Sequence, residues 1–201
     1  MEKNRLEAFS DGVIAIIITI MVLELKVPHE SDLHALVPLA PTFLAYVLSF
    51  AFVGIFWNNH HHMLNATQRI DGRVLWANLT LLFFLSLFPF ATAWMGEHHA
   101  AAAPSALYGT VLLASAISYI VLQQTIIAAQ GPHSLLQRAV GNDGKGKLSM
   151  VLIACGIVSA FCVQYLAQCI YAAVACIWLV PDRRIERVLS KSDARDDVRR
   201  D

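Results

Sequence analysis

Charge is what this 201-residue chain has least of. Lys, Arg, Asp and Glu make up 15% of it, against roughly a quarter in an ordinary soluble domain. The two signs cancel to a formal net charge of zero, which removes the case for a nucleic-acid partner. Hydrophobic residues reach 57% and mean hydropathy +0.55, with charge confined to the gaps between long apolar stretches. That arrangement excludes a soluble domain and indicates a polytopic protein whose solvent is lipid. Cysteine is scarce as well: Cys155, Cys162, Cys169 and Cys176 fall seven apart inside apolar sequence. Zinc and disulfide frameworks use short local pairs or loops, so these read as packing residues on one helical stripe, with no metal and no cofactor expected. No internal repeat is evident, which gives a two-repeat transporter no support. No cleavable signal peptide is expected, because the first apolar run contains Asp11 and lacks a small-residue cleavage site before Lys26.

What is present is a series of apolar spans, expected over about 6–25, 36–64, 74–95 and 105–129. Pro28 ends the first, Pro38 and Pro41 suit the opening turns of the second, and Pro89 should kink or break the third. Leu148 to Val180 is apolar for 33 residues; as one helix it would reach roughly 50 Å. It is therefore divided near Gln164 to Gln168 into two short spans, about 148–163 and 166–180, which makes six in all within a single 1–181 transmembrane domain. Residues 182–201 read as a charged cytoplasmic tail. Of the 15 basic residues, all but Lys26 then fall on one side, which places both termini in the cytoplasm. Trp57, Trp76, Trp94 and Trp178 lie near span ends, where interfacial anchoring suits them.

The first span carries two features that ordinarily do not mix. Arg5-x-x-x-Phe9-Ser10-Asp11-Gly12 opens it, and an otherwise apolar run follows with one hydroxyl, Thr19, in its middle. Polar groups at membrane depth are costly and mark function. At about 100° per residue, with Ile16 set to zero, Thr19 lies near −60°, Ile20 near +40°, Leu23 near −20° and Gly12 near −40°. These share a stripe that can face a symmetry axis, where a ring of Ile16 side chains would gate by dewetting. The same stripe also fits a lipid-facing helix, with Thr19 bonded back to its own preceding turn. Asp11, near −140° on that wheel, points elsewhere and needs a partner. His60 or His61 at the cytoplasmic end of the second span is the better candidate, Arg5 being about 120° away. A hydrogen-bonded network of Ser10, Asp11, Asn59 and His60 is expected to fix the first helix against the second. Arg5, near −20°, faces the cytoplasmic mouth or a neighbour.

Residues 5–12 with Ile16 and Thr19 resemble the signature of transmembrane protein 175, the endolysosomal potassium channel family, in its short prokaryotic form. Trp57-x-Asn59-His60-His61, Asn78 with Pro89-Phe90-x-Thr92, and Trp178-Leu-Val-Pro181-Asp-Arg-Arg extend the likeness over nearly the whole chain. The resemblance implies an all-α membrane protein, a homotetramer of six-helix subunits with the first helices around a central pore. It implies a bacterial plasma-membrane channel for potassium and other monovalent cations, without enzymatic activity. A Thr-Val-Gly-Tyr-Gly filter is missing from the family and from this chain, so rings of filter carbonyls cannot select the ion. The family's isoleucine gate corresponds to Ile16, and its following layers to Ile20 and Leu23. Ala15 stands where some members carry a serine.

Two other classes compete. One is a proton-coupled or proton-permeable transporter using Asp11 and His60. The other is an intramembrane metal or redox enzyme using His60, His61, His98 and His99. Consecutive histidines diverge by about 100° on a helix, so His60-His61-His62 cannot close on one ion. His98 and His99 are expected on the opposite side of the membrane. Glu24, Glu30 and Asp32 are placed near the outer end, where they concentrate cations or are simply solvated.

Overall fold

A computed structural model describes residues 3–67, 70–131, 136–137 and 144–179. The expected tail, 182–201, lies outside the described residues, as do Arg69 and Arg138. The regular structure of the described residues is all helix: α1 (Lys3–Leu23), a 3₁₀ segment (Leu33–Leu39), α2 (Ala40–Asn65), α3 (Gly72–Ser86), α4 (Phe88–Glu97), α5 (Ala102–Gln130), α6 (Gly144–Ser159) and α7 (Gln164–Leu179). Among the described residues, four stretches are long and apolar enough to cross a membrane: Lys3–Leu23, Leu33–Asn65, Gly72–Glu97 and Ala102–Gln130.

Local sequence explains most boundaries. Asp71 caps α3 by accepting from the Val74 amide at 2.9 Å. The third span breaks at Leu87, and Pro89 then sits in the first turn of α4, where its missing N–H is not needed. Gly131 closes α5 with φ of +86°, a conformation that disfavours a Cβ, while its amide reaches the Ile127 carbonyl at 3.0 Å. The last apolar stretch reverses at residues 160–163, just ahead of the glutamines.

α1 packs on α2, α3 and α4; α5 lies behind α3 and α4; and the α6–α7 hairpin covers α5, with α7 also touching α2. Glycine sets two close approaches. A Cβ on Gly96 would come within 2.8 Å of the Thr42 backbone, so the end of α4 lies against the start of α2. Tyr171, fully buried, presses its ring between Gly109 of α5 and Gly156 of α6. A polar knot ties the centre: Thr92 of α4 donates to the Ser49 hydroxyl of α2 at 2.7 Å, and Ser49 meets the Tyr108 hydroxyl of α5 at 3.0 Å. The four cysteines do not pack inward. All are exposed in the subunit, Cys155 on α6, Cys162 in the turn, and Cys169 and Cys176 on α7.

Candidate functional site

α1 has two faces, and its neighbours decide which is which. Leu6, Ser10, Ile14, Ile17 and Met21 are buried against the rest of the subunit. On the other side Ile16 is 58% exposed, Ile20 41% and Leu23 78%, with Gly12, Ala15 and Thr19 also exposed. The predicted stripe is therefore the arc of α1 that its own subunit leaves uncovered. Thr19 donates its hydroxyl proton to the Ile16 carbonyl at 2.9 Å, which leaves the oxygen's lone pairs facing outward. Phe9, half exposed, and Arg5 lie on the same arc, and Arg5 meets no carboxylate among the described residues.

The buried face is held by a hydrogen-bond relay. His60 Nε2 of α2 meets Asn78 Oδ1 of α3 at 2.7 Å, and Asn78 Nδ2 donates to Ser10 Oγ of α1 at 3.0 Å. Ser10 Oγ donates onward to the Leu6 carbonyl at 2.8 Å. Since Ser10 Oγ donates to Leu6, it must accept from the Asn78 nitrogen, so the Asn78 oxygen is the acceptor and His60 carries a proton on Nε2. His60 Nδ1 is then a buried acceptor without a partner among the described residues. All three side chains are buried. A second clasp lies one turn away: Trp57 Nε1 donates to Asp11 Oδ1 at 2.9 Å. His61 stacks on the Trp57 ring, centroids 6.0 Å apart, with its Nδ1 at 3.1 Å from Glu7 and its Nε2 accepting from Asn65 at 2.9 Å. Lys3 reaches the carbonyl of Asn65 at the end of α2.

Ser10 and His60 are linked through Asn78, and Asn59 has no part in that link. Asn59 follows the adjacent helical position, about 100° round from His60. It faces α5 and α6, lining a small cavity with Phe56 and Tyr119, and its carbonyl accepts from the Tyr119 hydroxyl at 3.3 Å. Asp11 bonds Trp57 rather than a histidine. The signal for Asn78 was legible: an amide two turns into an apolar span needs partners at that depth. Glu7 gave no such signal. His98 and His99 follow the last residue of α4, at the opposite end of the bundle from His60, and no cluster suited to a metal ion occurs among the described residues.

Residues 5–89 match the sequence family described as the endosomal/lysosomal potassium channel TMEM175. The chain is 51% identical over 192 residues to a potassium channel of Chryseobacterium sp. (strain P1-3), covering 96% of this chain and all of that one. It is 35% identical over 103 residues to the endosomal/lysosomal proton channel TMEM175 of Mus musculus, 45% of this chain and 21% of that one. The crystal structure of a lysosomal potassium-selective channel TMEM175 homolog from Chamaesiphon minutus superposes with a TM-score of 0.79 at 28% identity, over 90% of this chain and 98% of that one.

Proposed function

This chain belongs to the TMEM175 channel family, and on that premise we propose that it is a potassium-permeable channel gated by apolar side chains of α1. It is a membrane cation channel and not an enzyme, and needs no cofactor. In the proposed assembly four subunits surround an axis, each presenting the uncovered arc of α1 to it, within a single 1–181 transmembrane domain whose termini face the cytoplasm. One observation carries the reading: Ile16, Ile20 and Leu23 share the α1 face that the subunit leaves open, while the opposite face is locked by buried polar bonds. Bulky aliphatic rings at that face would strip water from the pore, and with no carbonyl filter available, selection falls to these layers and to the Thr19 oxygen.

The test is potassium flux into proteoliposomes. Ile16→Ala is expected to raise passive flux several-fold by shortening the side chain at the narrowest layer. Flux left unchanged by Ile16→Ala, Ile20→Ala and Leu23→Ala alike would remove the pore assignment. A proton-permeable reading is supported by the mouse relative, an endosomal/lysosomal proton channel. It predicts that a pH-sensitive dye inside the vesicles responds to a proton gradient when no permeant metal cation is present.

A further inference from the structure

We propose that the groove between the first turns of α3 and the last third of α5 binds an anionic phospholipid from the leaflet on that side, with Arg73 holding its phosphodiester. Asp71, Arg73 and Trp76 form one wall of the groove, and Val121, Thr125 and Ala128 form the other. Arg73 is exposed and meets no carboxylate among the described residues. The nearby Asp71 oxygen is engaged by the Val74 amide. Trp76 stands 73% exposed beside it, the placement of an aromatic ring at headgroup level. Thr80 and Thr125 turn their hydroxyl protons back to their own helices, at 2.9 and 2.7 Å, so beyond the charged end the walls present small apolar surface to an acyl chain.

Charge complementarity selects the occupant. A cation at the end of a membrane span, with hydrocarbon-lined space beneath it, matches a lipid with a negative head. A second copy of the chain fits less well. At this end the described carboxylates are already engaged: Glu7 with His61, Asp11 with Trp57 and Asp71 with its helix cap. Glu24, Glu30, Asp32 and Glu97 lie at the other end. The site also touches the gating helix indirectly, since α3 carries Asn78 to Ser10 and His60.

Binding is read by native mass spectrometry on the purified full chain, titrated with phosphatidylglycerol and phosphatidylcholine of matched acyl chains. The expected result is about a fivefold preference for phosphatidylglycerol, the increment of one surface cation. Arg73→Gln should bring it to parity, and Arg73→Lys should keep most of it. Ala128→Phe should lower it by filling the groove with the cation intact, and inorganic phosphate should not compete. Parity in the unaltered protein, or a preference that survives both Arg73→Gln and Ala128→Phe, overturns the proposal. So does a photo-reactive amino acid at position 125 that captures a second subunit instead of lipid. These readouts are independent of ion flux.

Discussion

At the scale of single residues, Asn78 does more than its neighbours because it bonds in both directions. Asn78→Leu keeps the volume but leaves His60 Nε2 and Ser10 Oγ without that partner in a buried place, at a cost of about 1–3 kcal/mol. A lowered melting temperature, together with altered flux, is the expected outcome; an unchanged melting temperature would mean the relay carries no weight. Trp57→Phe removes one charge-assisted bond to Asp11 while leaving most of the ring to stack on His61. Its effect should therefore be smaller than that of Trp57→Ala, which loses both.

At the scale of elements, the contact between α5, α6 and α7 is set by the absence of two β-carbons. A methyl on Gly109 would fall 2.1 Å from the Tyr171 hydroxyl oxygen, and one on Gly156 would fall 2.5 Å from a ring carbon. Alanine ordinarily gains up to about 1 kcal/mol in a helix interior. Here overpacking costs about 1–3 kcal/mol, because Tyr171 is fully buried and has nowhere to move. Both Gly→Ala variants should lower thermal stability in detergent. Tyr171→Phe, which removes the clashing oxygen, should partly rescue Gly109→Ala and not Gly156→Ala. A rescue of both would point to a ring that moves. The break between α3 and α4 follows the same logic of local geometry: Pro89 is tolerated because Leu87 ends one helix before it.

At the scale of the whole molecule, the uncovered arc of α1 predicts how subunits meet. Oxidation of Ile16→Cys in the membrane should give covalent dimers. The unaltered chain should not, its four exposed cysteines lying on α6, α7 and their turn. Cross-linking in neither would separate the α1 helices and contradict a central pore built from them. At the opposite end from the His60 relay, Lys26 pairs with Glu97 and joins the loop after α1 to the end of α4. The Glu97 hydrogen bond raises the lysine's pKa above its ordinary 10.5. A raised lysine is fully charged at neutral pH and loses its contribution only as pH climbs through the raised value, so this tether should not respond to physiological pH changes.

The sequence alone determined the all-helical membrane class, the position of most turns and the resemblance to a channel family. These follow from apolar run length, proline and glycine placement and a contiguous motif, all of which are local. It also located the stripe on α1, since helical periodicity is a property of one element. It left open whether that stripe was buried, because lipid, a pore axis and a packed neighbour all accept aliphatic side chains equally well. The tertiary structure decided that point within the subunit, by placing α2, α3 and α4 on the other side. It also chose Asn78 over Asn59 and Trp57 over His60 as partners for the motif. Such pairings depend on how helices rotate against one another, and a difference of about 100° between adjacent residues sends His60 toward α3 and Asn59 toward α5.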